Sequence, residues 1–491
     1  MNQGSVDLLP LDQPTLDRSL VRGIAWTVGV RAPTQLLTWA STLIVTRLLT
    51  PDDYGLVGMA SIFLGLVTLL NEFGLGLTIV TLRELDDAHV AQINGLSIIF
   101  GFAAFALSCV AAIPLGHLFG EPRLPYVIVA LSVALIISGF RTVPLALLEK
   151  KLRFRRLALI DGSQALVHAA GAITFASVGL GYWALVAGNL LGATVAASLV
   201  LASCVHWIAW PRFRALGSVL TFSWHVIVSR ISWYIYSNAD FFIVGRMLGT
   251  TALGTYGLAW SLASVPLDKI TALVSNVTPA YFAAVKSDQR ALRRYLLNLT
   301  NCIAIITFPA ALGLALVADD FVLVALGSRW EAAIGPLRLL GLYTSFRSIL
   351  PFVTQVLNAI GESRFAMFNG LVAALVMPVA FYFASSWGTV AVAASWLLVH
   401  PLVTFPLYRR LFNKIHVAAP QYLVGLWPSL SGGAMMVMSL LAVRYGFGGD
   451  INPPLRLALD VVVGATTYLL TMFVLHRKQL VDAYVFLRHA V

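Results

Sequence analysis

Long apolar runs separated by short polar segments are the dominant pattern of this sequence. A helix of ~20 apolar residues crosses the hydrocarbon core of a bilayer, and in lipid only helices or closed barrels satisfy their backbone polar groups. The runs are too long for barrel strands, so they predict about fourteen transmembrane helices. The predicted spans cover residues 24–46, 54–80, 90–113, 125–148, 157–179, 182–208, 217–245, 254–283, 297–318, 333–358, 365–385, 388–408, 421–443 and 455–475.

The composition places nearly the whole chain in the membrane. Hydrophobic residues make up 59% and charged residues 11% of the 491 residues, whereas roughly 25% charged residues is usual in soluble proteins. The sequence therefore predicts an all-α polytopic membrane protein. Three cysteines lie far apart within apolar runs, without the spacing of a zinc site, and we expect neither a metal nor a cofactor.

Lysine and arginine are concentrated in the loops on the same side as the N-terminus. Cytoplasmic loops carry such an excess, so both termini are predicted to be cytoplasmic, in a bacterial inner membrane. The loop Glu149–Arg156, with the sequence EKKLRFRR, is the clearest example. A basic surface facing anionic lipids accounts for the net charge of +11. No nucleic acid is needed to explain it.

The first and seventh predicted helices share a pattern at an offset close to 200 residues, which indicates an internal duplication. Trp26, Arg31, Arg47 and Tyr54 correspond to Trp224, Arg230, Arg246 and Tyr256, and Phe140, Arg141 and Pro144 correspond to Phe346, Arg347 and Pro351. Because six helices are copied, both copies enter the membrane in the same direction. The pattern predicts two six-helix lobes in a parallel pseudo-two-fold repeat, an arrangement typical of transporters that alternate access.

The predicted organisation follows from this repeat. Residues 1–20 form a polar cytoplasmic tail, 21–210 the N-terminal lobe, and 211–415 the C-terminal lobe. Residues 416–491 add helices 13 and 14 and a cytoplasmic C-terminus. These last two helices lie outside the duplication.

Four arginines fall well inside the predicted spans, away from their ends, as two pairs related by the duplication: Arg31 with Arg230, and Arg141 with Arg347. An arginine at the centre of a membrane helix costs ~2.5–3.5 kcal/mol, so each needs a compensating partner. One interpretation is a ligand with phosphates, because guanidinium groups bind phosphate oxygens in bidentate fashion. The alternative is that they pair with acidic side chains or cap carbonyl groups between helices.

Acidic residues within the spans are candidates for coupling transport to a Na+ or H+ gradient. They are Glu72, Asp161, Asp240 and Asp268. A structural ion pair is the alternative for each of them. Aromatic residues near the arginines are candidates for stacking on sugars, although aromatic belts at membrane interfaces are common. They are Trp26, Trp39, Trp224, Trp233, Tyr234 and Tyr236.

Three segments carry a family resemblance. Arg47–Gly76, Pro144–Leu159 and Val265–Phe282 resemble, in this order, the polysaccharide-export branch of the multidrug/oligosaccharidyl-lipid/polysaccharide flippase superfamily. The resemblance implies two six-helix lobes around a cationic central cavity, as in multidrug and toxin extrusion proteins. It also implies transport of an undecaprenyl-diphosphate-linked oligosaccharide to the outer leaflet during exopolysaccharide or lipopolysaccharide assembly. Membrane lipids, a polysaccharide polymerase and its co-polymerase are the other partners that it suggests.

Two other functions stay open at this point. An ion-coupled drug or cation antiporter of the same superfamily would favour acidic rather than basic residues in its cavity. A polytopic polymerase or glycosyltransferase would need a catalytic set on a sizeable loop, and adjacent pairs such as Asp52-Asp53 lack a D-x-D spacing. No P-loop or H-E-x-x-H motif is present. We therefore expect a transporter rather than an enzyme.

Overall fold

The computed structural model describes residues 34–35, 37–72, 75–76, 79, 86–204, 207–211, 231, 233–275, 282, 288–447 and 452–481, without the side chains of residues 72, 266–275 and 447. Long helices account for most of these residues. In chain order they are α1 (Pro51–Glu72), α2 (Asp87–Phe119), α3 (Leu124–Lys150), α4 (Phe154–Ser177), α5 (Tyr182–Ser203), α6 (Ala239–Ser275), α7 (Gln289–Leu316), α8 (Ile334–Ala359), α9 (Ser363–Ser385), α10 (Thr389–Ile415), α11 (Ala419–Phe447) and α12 (Pro453–Leu475). Residues 37–48 are also helical.

Nine helices within the described ranges are long and apolar enough to cross a membrane. They are α1, α2, α3, α5, α7, α9, α10, α11 and α12. The bounds of α3 (predicted at 125–148) and α9 (predicted at 365–385) agree with the predicted spans to within two residues. The total of fourteen stays a prediction, because several predicted spans lie partly outside the described residues.

The chain divides into two compact units. The first comprises residues 1–49 and 60–231, and it contains α2 to α5. Within it, α2 and α3 cross at Gly101 and Gly139, where an added Cβ on either glycine would lie 2.9 Å from a carbonyl oxygen of the other helix. Small residues permit such close backbone approach in membrane helices. The predicted lobe boundaries themselves stay a prediction.

The end of α5 differs from the predicted sixth span, because the helix stops at Ser203 and residues 207–211 are not helical. Asn94 of α2 donates a hydrogen bond from Nδ2 to the carbonyl oxygen of Trp207 at 3.3 Å. Pro211 disfavours a helix at this point, since the residue before a proline avoids the helical region. This segment therefore lies along α2 within the first unit.

The second unit comprises residues 50–59 and 232–491. Its first long helix, α6, is bent at Gly249, whose φ of 87° and ψ of −175° are non-helical. Tyr256 nevertheless hydrogen bonds to Asp240, although a straight helix would separate these two residues by ~24 Å. The bend therefore folds the two halves of α6 together, in agreement with the two separate spans that the sequence predicts.

The first turns of α1 pack against the second half of α6 within the second unit. The hydroxyl of Thr250 donates to Asp52 Oδ1, and an added Cβ on Gly55 would collide with the carbonyl oxygen of Thr250. Tyr54 meets the buried Trp330 edge to face, with ring centroids 5.3 Å apart. Gly55 is thus required for close backbone packing.

The last two helices, α11 and α12, attach to α7 through a buried charge network. Asp320 accepts hydrogen bonds from Arg456 Nε at 3.0 Å and from Arg444 Nη2 at 3.3 Å. Arg444 also donates to Asp460 at 2.7 Å and to the carbonyl oxygen of Leu316 at 3.1 Å. Both arginines thus have carboxylate partners in the structure.

Candidate functional site

Arg141 lies within α3, one helical turn before Pro144. Its Nη1 donates a hydrogen bond to Gln164 Oε1 of α4 at 3.2 Å. The Nε atom is buried and has no hydrogen-bond partner among the described residues. A guanidinium group has five N–H donors, so Arg141 retains donor capacity in a largely apolar surrounding.

Two carboxyl groups lie near Arg141, toward the C-terminal end of α3 and in the first turns of α4. Glu149 of α3 is close enough to interact electrostatically with both Arg141 and Asp161 of α4. None of the described carboxylates forms an ion pair with Arg141 at direct contact distance. Asp161 itself is exposed. Within the described residues, the positive charge of Arg141 is therefore balanced only at longer range.

Arg347 occupies the corresponding position in α8, just before Pro351. Its Nη1 donates to Ser264 Oγ of α6 at 3.0 Å. The guanidinium carbon lies 5.1 Å from the ring centroid of Trp260, one turn before Ser264, in a cation–π contact. Within the part of the chain that the structure describes, no carboxylate pairs with Arg347.

The two arginines share a chemical property. Each is half-buried, each is held by one neutral hydrogen-bond acceptor, and neither is neutralised by a described carboxylate. A guanidinium group without a carboxylate partner binds anionic oxygens strongly, because charge-assisted hydrogen bonds are about twice as strong as neutral ones. The arrangement at each arginine is thus suited to a phosphate or diphosphate ligand.

Asp240 is the most enclosed of the predicted coupling residues that the structure describes. Its side chain is 0% exposed, and its Oδ2 accepts hydrogen bonds from the Tyr256 hydroxyl at 2.7 Å and from Trp396 Nε1 at 2.9 Å. Its Oδ1 is buried without a partner among the described residues. This carboxyl group therefore has acceptor capacity available for a proton or a small cation.

The remaining predicted site residues cannot be placed. Arg31 and Arg230 lie outside the described residues, as do the side chains of Glu72 and Asp268. Among the residues that are described, no group of three His, Cys, Asp or Glu side chains has the geometry to hold a metal ion. The roles of all eight predicted site residues stay predictions.

The sequence analysis missed an aromatic cluster in the second unit, which surrounds Asp240 and Arg347. Its members are Tyr236, Trp260, Tyr343, Phe346, Phe381, Trp396 and His400. Of these residues, only Tyr236 is among the predicted sugar contacts. Spacings of four residues, as in Trp396 and His400 or Tyr343 and Arg347, place these side chains on single helix faces. That periodicity was the available signal.

Comparison with known proteins places this chain in a family. A polysaccharide biosynthesis protein family model matches residues 44–335, more than half of the chain. The lipopolysaccharide biosynthesis protein WzxC of Escherichia coli K12 is 25% identical over 447 residues, which cover 88% of each chain. The succinoglycan biosynthesis transport protein ExoT of Rhizobium meliloti is 25% identical over 482 residues, which cover 95% of each chain.

Solved structures confirm the predicted fold. The lipid II flippase MurJ, in an inward closed conformation, matches with a TM-score of 0.71 and 14% identity, covering 93% of this chain and 100% of that chain. An inward-facing multidrug resistance transporter of the MATE family, in the MOP superfamily, matches with a TM-score of 0.63 and 15% identity, covering 79% of this chain and 96% of that chain. At these identities the likeness concerns the fold alone. Together with the family match, it establishes that this chain is a multi-pass membrane protein that belongs to the polysaccharide biosynthesis protein family.

Proposed function

We propose that this chain is a flippase for a lipid-linked oligosaccharide. It moves an undecaprenyl-diphosphate-linked repeat unit from the cytoplasmic to the outer leaflet of the bacterial inner membrane, for exopolysaccharide or lipopolysaccharide assembly. Family membership supports this proposal, as do a relative named as a transport protein of succinoglycan biosynthesis and a fold neighbour named as a lipid II flippase. The single observation that carries it is the state of Arg141 and Arg347, two arginines within apolar helices without a described carboxylate partner.

The chemistry of the substrate fits these arginines. A diphosphate carries several anionic oxygens in a compact group, and each guanidinium binds two oxygens in bidentate geometry. Removing a hydrogen bond to a charged group costs ~1.5–3 kcal/mol. Each arginine therefore contributes binding energy of this order to an interaction with the headgroup. Trp260, which lies under Arg347, adds a flat apolar surface beside it.

The finer features of the function belong to the same proposal. The transporter alternates access between the two leaflets, with both termini in the cytoplasm and the basic loops facing anionic lipids. A polysaccharide polymerase and a co-polymerase act on the flipped product as candidate partners. Coupling uses a Na+ or H+ gradient, with Asp240 as the best-supported site because it is enclosed and has an oxygen without a described partner. Glu72, Asp161 and Asp268 are the other candidates.

Polysaccharide export in a strain lacking the chromosomal gene tests this proposal. We expect Arg141→Gln and Arg347→Gln to reduce export by at least about tenfold each, and Arg31→Ala with Arg230→Ala to abolish it, while the protein stays in the membrane. Arg338→Gln is the matched control, because Arg338 is exposed and bound to Asp319. The lysine variants are expected to rescue only partly, because lysine lacks the planar fork.

Two outcomes would contradict the proposal. Normal export by the combined Arg141→Gln and Arg347→Gln variant would remove the role of these side chains in substrate binding. Loss of resistance to organic cations in the deletion strain, with polysaccharide export unchanged, would instead favour the drug antiporter.

A further inference from the structure

Asp240 and Arg347 are the acidic and the basic side chain that the aromatic cluster of the second unit surrounds, and the described contacts include no ion pair between them. Burying a charge without a counter-charge is costly, and within the described residues Asp240 is held by neutral donors, among them the side chains of Tyr256 and Trp396. A proton or a monovalent cation at Oδ1 removes that cost. Asp240 therefore has two states with different net charge, and these states differ in how strongly the carboxyl group accepts the Trp396 N–H.

Two tryptophans connect the carboxyl group of Asp240 to the guanidinium group of Arg347. Trp396 donates to Asp240 at 2.9 Å and packs against Trp260, with ring centroids 5.2 Å apart and planes inclined by 50°. Trp260 in turn lies under the guanidinium group of Arg347 at 5.1 Å. The path from the carboxylate to the guanidinium group thus consists of one hydrogen bond, one ring–ring contact and one cation–π contact.

The surroundings of Trp396 limit how it can move. Tyr343 and Phe381 pack against its ring at centroid distances of 5.3 and 5.1 Å, and Trp396 is almost fully buried. Close-packed interiors transmit small displacements to their neighbours. A change in the hydrogen bond to Asp240 is therefore passed on to Trp260, which has a partly exposed side.

We infer that Trp396 and Trp260 form a relay through which the charge state of Asp240 sets the position of the Arg347 guanidinium group, and hence its affinity for the substrate diphosphate. The charged acid holds the Trp396 N–H strongly, since charge-assisted hydrogen bonds are about twice as strong as neutral ones. The neutralised acid releases it. Trp396 and Trp260 are positioning residues in this relay. The inference rests on the proposed function, because it makes Arg347 a ligand of the substrate.

Other titratable groups also face this cluster. The described ones are Tyr236, Tyr256, Tyr343 and His400. His400 bonds to the Tyr343 hydroxyl at 3.2 Å and stacks on Tyr236. The relay assigns the response to Asp240, so the test must separate this group from His400.

Binding of undecaprenyl diphosphate to the full-length protein in nanodiscs tests the relay. Affinity is measured from pH 5.5 to 8.5, in sodium chloride and in choline chloride. We expect the native protein to change affinity by about fivefold or more across these conditions, a usual size for coupling between sites. Asp240→Asn and Trp396→Phe are expected to flatten this dependence, whereas His400→Gln should retain it. Phenylalanine keeps a ring at position 396 and removes the N–H donor.

The controls separate the relay from the proposed function. Trp387→Phe changes an exposed tryptophan on another surface and should behave as the native protein. Arg347→Gln should weaken binding at least about tenfold in every condition. If Trp396→Phe does not fold, Trp260→Phe tests the next contact of the same path.

Each outcome decides one of the two claims. Native dependence in Trp396→Phe or Trp260→Phe, with weakened binding in Arg347→Gln, overturns the relay and leaves the proposed function standing. The same holds if native affinity does not respond to pH or sodium, or if His400→Gln removes the response. Native binding by Arg347→Gln overturns the proposed role of this arginine.

Discussion

Asp320→Asn is expected to loosen the attachment of α11 and α12. Asp320 is 1% exposed and accepts hydrogen bonds from both Arg444 and Arg456. Asparagine keeps the shape but removes the negative charge, and it turns an amide donor toward two guanidinium groups. Arg444 retains Asp460, whereas Arg456 loses its described carboxylate partner.

The loss of stability expected for Asp320→Asn depends on how deeply its ion pairs are buried. Removing one partner of a buried ion pair costs ~3–5 kcal/mol. The arginine side chains are 29% and 33% exposed, so water compensates part of this loss, and we expect about 2–3 kcal/mol. Asp319→Asn is a matched control on the next residue, because its ion pair with Arg338 is 32% and 48% exposed and such pairs contribute ~0–1 kcal/mol.

Thermal unfolding of the purified protein in detergent, followed by tryptophan fluorescence, measures both variants. Asp320→Asn should lower the midpoint by on the order of 5 °C, and Asp319→Asn by much less. A double-mutant cycle with Arg456→Gln should show coupling between positions 320 and 456. Equal midpoints for the two asparagine variants would refute the idea that this network stabilises the attachment.

Two other predictions concern the packing of Gly55 and the turn between α8 and α9. Gly55→Ala should strongly reduce the yield of folded protein in fluorescence-detected size-exclusion chromatography, because its Cβ would collide with Thr250, whereas Gly370→Ala, with open space around it, should not. A normal yield for Gly55→Ala would contradict the packing. Lys414 and Arg410 hold the pKa of Glu362 below its usual value of 4.5. This stabilisation is therefore present at neutral pH and lost as the pH falls through the lowered pKa, so Glu362→Gln should flatten the acid limb of a stability–pH profile. An unchanged acid limb would exclude this group as its source.

Much of the fold follows from one-dimensional pattern. Apolar runs of bilayer length predicted α3 and α9 to within two residues at each end, because lipid imposes a fixed length on each helix. The ends of α7 and α10 were less predictable. Both helices continue beyond the apolar run into polar turns, as Gln289 and Lys414 show. Hydropathy therefore predicts the segment that lies in the bilayer, whereas the helix itself can extend beyond that segment.

The contacts between helices depended on residues far apart in sequence. Arg347 stood out as a candidate site residue because an arginine inside an apolar helix is costly in a membrane. Its contact with Trp260 could not be predicted, because a tryptophan within an apolar run gives no distinctive signal. Trp396 lies 156 residues from Asp240. Asp460, within the last predicted span, was overlooked as an acidic residue, and its arginine partner on the neighbouring helix stabilises it there.

Flipping of a fluorescent undecaprenyl diphosphate analogue in proteoliposomes tests most directly whether paired arginines move a lipid diphosphate across the membrane. The native protein and a variant with Arg141→Gln and Arg347→Gln are reconstituted at equal density, with Arg338→Gln as the control. We predict that the double variant loses more than about tenfold in rate while the control matches the native protein. Equal rates for all three proteins would contradict the account.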